Sequence, residues 1–237
     1  MSTVANYPTG RMLSGTGTFF GPTPSTQFNS VIELVVQSIP VFAASAIKKG
    51  ITNENGLNSQ LALFISKKAM QNNLPFIAHH QIMEDLTRGD SPTPDIGIHL
   101  FVDDEAEPPP IITVFEGKRL TTHLEAKRRR EYVIGHERDG KHIKCGGIER
   151  FKHSIHGAKL THAGMIGYLQ DGTPDHWRDQ INGWISDLSN QQHDPTWSEK
   201  EQLTLNTTGG RVTEYSSVVF RKVEELRLTH LWIDLVP

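Results

Sequence analysis

A ten-residue segment, Ile111–Leu120, constrains the fold of this chain more than any other. It is rich in β-branched and aromatic residues, which favour a strand, yet it also carries Glu116 and Lys118. Residues two apart in a strand point to the same face, so both charged residues share a side with Ile112 and Val114. Charges on a buried face are costly unless they are paired or bound to a metal ion. We therefore predict a polar site built into the core of a sheet.

Residues 94–102 predict a second strand, because their apolar residues occupy alternate positions. The acidic, proline-rich stretch 103–110 that follows has the composition of a turn. We therefore predict an antiparallel hairpin that brings Asp95 beside Glu116. Two carboxylates held close together repel each other, and a divalent cation would satisfy both.

The remaining patterns predict an α/β fold, with a central mixed β-sheet flanked by helices. Residues 1–28 are rich in Gly, Thr, Pro and Ser and predict a flexible N-terminal arm, followed by a single domain at 29–237. Pro40 is expected to kink the first helix. Helices are predicted at 30–49, from 52 or 53 to about 73, at 148–155 and from 174 onward, with further strands near 76–80, 163–169, 216–222 and 226–235.

Half of the basic residues fall within residues 116–159. This segment holds 12 of the 24 Lys and Arg residues but only 6 of the 27 Asp and Glu residues, whereas the whole chain has a net charge of −3. Such asymmetry favours contact with a polyanion, although a solvated charged loop would have the same composition. The candidates for phosphate contacts are Arg119, Lys127, Arg128, Arg129, Arg130, Lys144, Arg150 and Lys152.

Cysteine content and hydropathy indicate a cytoplasmic protein. Cys145 is the only cysteine, which excludes an internal disulfide and a cysteine-based metal cage. The longest apolar run, residues 31–47, is interrupted by polar residues and by Pro40, so no membrane contact is expected. The N-terminus lacks a basic region followed by an apolar stretch, which argues against a secretory signal. A reducing, cytoplasmic location is the simplest interpretation.

Glu54 lies in the first turn of the second predicted helix, three residues before Leu57 and seven before Leu61. It therefore projects from the same face as the apolar stripe of that helix. A stabilising role at the helix N-terminus is the simpler interpretation of this residue taken alone. That interpretation changes if other carboxylates converge on the same point.

The motif Pro94-Asp95, followed about twenty residues later by Glu116-Gly117-Lys118, resembles the PD-(D/E)XK superfamily, the restriction-endonuclease-like nucleases. The predicted order of helix, strand, Asp strand, Glu-x-Lys strand, helix and strand is similar to the core of that superfamily over roughly residues 53–188. Glu54 matches an additional acidic residue that many members carry on the preceding helix. Gly117 departs from the pattern, in which a small apolar residue or a cysteine is common, and no clear glutamine motif follows.

This resemblance implies a Mg²⁺-dependent (or Mn²⁺-dependent) endonuclease that hydrolyses phosphodiester bonds, with DNA favoured as substrate. It implies that Asp95, Glu116 and the backbone carbonyl of Gly117 hold the metal, with Glu54 acting directly or through water. Lys118 would then orient the attacking water and stabilise developing negative charge. The segments 116–120, 147–151 and 163–168 also resemble small bacterial nucleases, which implies a role in anti-phage defence. Because an unregulated nuclease would be toxic, we expect control by a homo-oligomer or an activating partner protein.

Two alternatives stay open. A catalytically inactive nucleic-acid-binding or assembly module with the same fold would use the same basic segment without a metal, and Mg²⁺-dependent cleavage discriminates it from a nuclease. A histidine-based metal hydrolase is compatible with the 12 His residues and with the spacing of His153 and His156, although the chain has no HExxH signature.

Overall fold

The computed structural model describes residues 24–101, 108–191 and 196–237. These residues form an α/β protein with a seven-stranded mixed sheet and four α-helices. The helices are α1 (Pro24–Lys49), α2 (Glu54–Gln71), α3 (Gly147–Lys152) and α4 (Pro174–Ser189). The large sheet contains β1 (Phe76–His80), β2 (Ile96–Leu100), β3 (Ile111–Leu120), β6 (His162–Leu169), β7 (Thr204–Gly209), β8 (Val212–Phe220) and β9 (Glu225–Asp234), and a separate hairpin consists of β4 (His136–Arg138) and β5 (Lys141–Ile143).

The strands of the large sheet lie in the order β1-β2-β3-β6-β9-β8-β7. Strands β1, β2 and β3 form an antiparallel meander, and β6 then pairs with β3 in parallel. A parallel pairing requires a crossover, and the chain between β3 and β6 supplies it with the β4–β5 hairpin and α3. Strand β9 is also parallel to β6, whereas β8 and β7 continue the sheet in antiparallel fashion.

Two apolar clusters cover the opposite faces of the sheet, because successive strand residues point in opposite directions. One cluster joins α1 and α2 to the sheet through residues such as Phe115 and Tyr168. The other joins α3 and α4 to the sheet through residues such as Val114 and Met165. The predicted central mixed sheet flanked by helices is therefore confirmed.

Helix α1 begins at Pro24, so residues 24–28 of the predicted arm belong to a helix, and Phe28 is buried in the core. The rest of the predicted arm lies outside the described residues, as do residues 102–107 of the predicted turn. The helix continues through Pro40 to Lys49.

The sequence analysis expects no contact with a membrane, but helix α1 has the length and composition of a helix that could cross one. The helix over Ser25–Lys49 is long and apolar enough to cross a membrane. Its 18-residue apolar window has a mean hydropathy of 1.7, and 44 % of that window is buried inside the protein. Its buried side chains, among them Val31, Val35 and Phe42, pack with α2 and the sheet. These residues of α1 therefore belong to the core, while the length and composition of the helix are also those of a signal sequence.

A β-bulge interrupts the pairing of β2 with β3 and leaves Ile112 without a partner in the register. Because of this extra residue, Ile112 packs against the cluster of α1 and α2, whereas Val114 packs in the cluster on the opposite face. The prediction that these two residues share a face is therefore wrong. Regular alternation resumes at Val114 and carries Glu116 and Lys118 into the side covered by α3 and α4.

Gly117 lets helix α2 approach β3 closely. A Cβ atom at this position would lie 2.0 Å from Asn58 Oδ1, which accepts a hydrogen bond from the Tyr168 hydroxyl at 2.7 Å. Asn58 and Tyr168 are fully buried, so neither side chain can move aside without disturbing the packing around it. The close contact between α2 and β3 therefore requires glycine at this position.

We predict that Gly117→Ala lowers the free energy of unfolding by about 1–3 kcal/mol, because added volume in a filled core displaces its neighbours. Gly183→Ala in α4 is the matched control, since a Cβ there meets nothing within 4 Å, and alanine favours a helix interior by about 1 kcal/mol. Urea denaturation of both variants measures the difference. A midpoint for Gly117→Ala equal to that of the wild type would contradict the proposed contact.

Candidate active site

Three carboxylates converge on the ammonium group of Lys118. Its Nζ donates a hydrogen bond to Glu54 Oε1 at 2.9 Å and lies 3.7 Å from both Asp95 Oδ2 and Glu116 Oε2. It also donates to the backbone carbonyl of Gly117 at 2.9 Å. The Lys118 side chain is only 6 % exposed and that of Glu116 is fully buried. The structure thus brings together all four of the side chains that the sequence singles out for catalysis.

The β2–β3 hairpin places the two strand carboxylates beside each other. Ile96 lies opposite Phe115, so the residue before β2, Asp95, falls next to Glu116 on the same face. Asp95 Oδ2 accepts a hydrogen bond from the backbone N–H of Gly117 at 2.9 Å. This bond fixes the orientation of the Asp95 carboxylate on the strand that carries its neighbour.

Glu54 reaches the same point from the first residue of α2. The helix is capped by Asn53, whose side chain accepts a hydrogen bond from Gly56 N at 2.8 Å. The cap therefore does not use the Glu54 side chain, which pairs with Lys118 instead. Glu54 Oε2 is buried and has no hydrogen-bond partner within the described ranges.

Glu116 is held by two further side chains. Arg150 Nη1 donates to its Oε2 at 2.9 Å, and His156 Nδ1 lies 2.5 Å from its Oε1. Burial opposes ionisation of Glu116, but the contact with His156 and the charges of Lys118 and Arg150 outweigh burial and lower the pKa to about 2. Glu116 is therefore ionised throughout the neutral range.

Asp95 has the opposite electrostatic environment. Burial and repulsion from Glu116 raise its pKa to about 6, although Lys118 and the Gly117 N–H act in the other direction. The three carboxylates outnumber the two cations Lys118 and Arg150, so the cluster has an excess of one negative charge when His156 is neutral. This excess negative charge contributes to the raised pKa of Asp95.

The donor atoms suit a hard divalent cation in kind, because they are carboxylate and carbonyl oxygens. The unpartnered Oε2 of Glu54 and the excess negative charge fit the same kind of ion. In their present arrangement, no group of three or more His, Cys, Asp or Glu side chains in the described part of the chain is placed to hold a metal ion. The ammonium of Lys118 contacts both the carboxylates and the Gly117 carbonyl. Metal binding here therefore requires Lys118 to give up these contacts.

Four of the eight predicted phosphate-contacting residues are open to a polyanion. Lys127, Arg129 and Lys144 are exposed, and Arg119 is half-buried. Lys127 pairs with Glu125 at 3.1 Å, but both side chains are well exposed, and such a surface pair is easily opened. The contact of these four residues with a phosphate stays a prediction.

Two of the predicted phosphate-contacting residues are engaged with neighbouring groups. Arg128 donates two hydrogen bonds to Glu131 at 2.6 and 2.9 Å, and Arg130 donates to the backbone carbonyl of Trp184 at 3.1 Å. Each arginine keeps 35 % of its side chain exposed. Contact with a phosphate would therefore use only their remaining N–H groups.

The structure corrects the prediction for Lys152. The Lys152 side chain is 1 % exposed and donates to both oxygens of Glu201, at 2.7 and 2.8 Å. It is an internal ion pair and does not reach a phosphate at the surface. Arg150 donates to Glu116 and keeps 27 % of its side chain exposed, so its contact with a phosphate stays a prediction.

His156 is the member of the cluster that the sequence analysis misses, since its spacing suggests only a pair with His153. The structure places His156 against Glu116 instead. A periodic pattern along β3 identifies residues of that strand alone, whereas Arg150 and His156 come from the crossover to β6. Only the tertiary packing of that crossover reveals them.

Neither a known protein family, nor a curated protein, nor a solved structure matches this chain.

We predict opposite effects from neutralising the two strand carboxylates. Glu116→Gln leaves Arg150 and His156 facing a neutral amide, and should lower the free energy of unfolding by about 3–5 kcal/mol. Asp95→Asn removes a repelled charge and keeps an oxygen for the Gly117 N–H, and should raise it by about 1–3 kcal/mol at pH 8. Thermal melts in Mg²⁺-free buffer measure both. Destabilisation by both substitutions would show that the two carboxylates are equally well paired.

The stabilisation by Asp95→Asn should depend on pH. The pKa of Asp95 rises from 3.8 to about 6 on folding, so the folded state binds this proton more tightly than the unfolded state. The wild type consequently loses stability as the pH rises from about 4 to about 6, and the variant does not share this loss. The difference in Tm should be small at pH 4 and largest above pH 7. A difference that is constant from pH 4 to pH 8 would contradict the raised pKa.

Proposed function

We propose that this protein is a metal-dependent nuclease with a restriction-endonuclease-like core, which hydrolyses phosphodiester bonds and favours DNA. The observation that carries this proposal is the convergence of Asp95, Glu116 and Glu54 on Lys118. The element order α2, β1, β2, β3, then the β4–β5 hairpin, α3 and β6 supports it, because Asp95 directly precedes β2 and the Glu-x-Lys motif lies on β3.

Asp95, Glu116 and the Gly117 carbonyl would hold Mg²⁺ or Mn²⁺, with Glu54 acting directly or through water. When bound, the metal supplies an activated water and neutralises charge on the phosphate. Burial opposes the charge on Lys118, but the three carboxylates outweigh burial and raise its pKa. Lys118 therefore stays protonated, so it orients a water molecule and stabilises negative charge by donating hydrogen bonds, and it does not act as a base.

The biological setting is a further part of this proposal. A cytoplasmic location rests on the cysteine content and hydropathy, and a role in bacterial anti-phage defence rests on the resemblance of the motifs. Control by self-association or by a partner protein is expected on general grounds. A nuclease that is active without control would damage its own cell, which is the reason to expect such control.

A second candidate is a catalytically inactive nucleic-acid-binding or assembly module. The observation that favours it is the internal pairing of the cluster, in which Lys118 contacts all three carboxylates, and Arg150 and His156 hold Glu116. Such a cluster holds together without a metal ion. The module would keep the exposed basic residues and cleave nothing.

Cleavage assays separate the two candidates. We expect Mg²⁺-dependent cleavage of plasmid DNA, and a loss of at least about 100-fold in Asp95→Asn and in Lys118→Met. The matched controls are Asp90→Asn and Lys67→Met, which change exposed residues away from the cluster. Single-stranded DNA and RNA, each with Mg²⁺, Mn²⁺ or EDTA, complete the set of substrates. A folded wild type that cleaves none of them would contradict the nuclease and favour the inactive module.

Binding of nucleic acid should weaken steeply as the salt concentration rises. We predict that Arg129→Gln and Lys144→Gln each lower the slope of log affinity against log salt by about 0.9, the value for one phosphate contact. Lys67→Gln, an exposed lysine on α2, is the control and should leave the slope unchanged. Fluorescence anisotropy with a labelled DNA duplex in EDTA measures the slope. An unchanged slope in the two test variants would assign these residues to ordinary solvation.

A further inference from the structure

The two partners of Glu116 outside β3 differ in how firmly they are held. His156 is 4 % exposed, and its ring packs edge to face on Phe151 with 6.4 Å between ring centroids. The next residue, Gly157, donates its backbone N–H to both oxygens of Glu84, at 2.8 and 3.0 Å. The surrounding structure therefore fixes His156 in place against Glu116.

Arg150 lies at the surface end of the same cluster. Its side chain is 27 % exposed, and the hydrogen bond from Nη1 to Glu116 Oε2 is its only one to a side chain in the described part of the chain. Its other N–H groups are available to a ligand that approaches from solvent. The planar fork of a guanidinium matches the oxygens of a phosphate group, which makes Arg150 suited to phosphate.

We propose that Arg150 is a phosphate-responsive latch on the cluster, an inference that rests on the proposed function. In the free protein its guanidinium competes with a divalent cation for Glu116. A phosphate group of bound nucleic acid takes up the guanidinium and weakens this competition, while His156 keeps the carboxylate in place. Arg150 is thus a positioning residue that couples the binding of nucleic acid to the binding of the cation.

The charge balance of the cluster gives this coupling its direction. Apart from His156, the side chains of Glu54, Asp95 and Glu116 contact two cations, Lys118 and Arg150, and removal of the Arg150 charge leaves Lys118. A buried site screens charge weakly, so this change strengthens the attraction for a divalent cation. Linkage then requires that nucleic acid tightens cation binding by the same factor as the cation tightens nucleic-acid binding. The protein would therefore take up its metal together with its substrate.

Calorimetric titration with Mn²⁺ tests the latch in the wild type, in Arg150→Gln and in Arg150→Lys. We expect Arg150→Gln to bind Mn²⁺ at least about fivefold more tightly than the wild type without DNA. Arg150→Lys keeps the charge and should bind like the wild type. A short phosphorothioate DNA duplex, which resists hydrolysis, should tighten Mn²⁺ binding in the wild type and have a smaller effect on Arg150→Gln. Lys67→Gln removes an exposed cation on α2, outside the cluster and the predicted phosphate contacts, and should change neither result.

Two outcomes would overturn the latch and leave the metal site standing. One is Mn²⁺ binding by folded Arg150→Gln that equals or is weaker than that of the wild type. The other is that the DNA duplex does not tighten Mn²⁺ binding by the wild type. This second result decides the question even if a thermal melt shows that Arg150→Gln is unfolded. Failure of every protein to bind Mn²⁺, with or without DNA, would instead overturn the proposed function, and the latch with it.

Discussion

The ammonium group of Lys118 is the contact on which the rest of the site depends. It joins the first residue of α2, the start of β2 and the middle of β3 through Glu54, Asp95 and Glu116. Without it Glu54 and Asp95 would lose the cation that each contacts, and the pKa of Asp95 is raised even with it present. A buried ion pair contributes modestly to stability, but breaking one is costly. Lys118 therefore ties the position of α2 to the pairing of the two strands.

Two carboxylates of similar chemistry take different roles because their surroundings differ. Glu116 is enclosed by His156 and Arg150, which keep it ionised and fixed, whereas Asp95 is repelled and has only the Gly117 N–H and the distant ammonium in its favour. In this site one carboxylate is held in place and the other is repelled by the net negative charge of the cluster. Such a site attracts a cation. Because the cluster has a net negative charge, the charge of the partly exposed Arg150 affects how tightly that cation binds.

The strand pattern was sufficient to predict the β2–β3 hairpin and the buried charges on β3, because alternation with a period of two is a local property of the chain. The error at Ile112 has a different cause, since a bulge depends on how two strands pair. The burial of Lys152 depends on Glu201, which is remote in sequence. Arg150 and His156 join the site only because the crossover to β6 packs against β3. Strand β7 has no buried residue, so it lacks the apolar alternation that would predict it.

The most direct test of this cluster as a metal centre is an anomalous difference map from crystals grown with Mn²⁺ and a phosphorothioate DNA duplex. We expect a Mn²⁺ peak at coordination distance from Asp95 and Glu116, with the Lys118 ammonium moved away from Glu54. The position of Lys118 decides between the two uses of the same residues, as an internal ion pair or as part of a metal-dependent active site. A map without a peak at saturating Mn²⁺, in which Lys118 keeps its hydrogen bonds to Glu54 and Gly117, would contradict the metal centre.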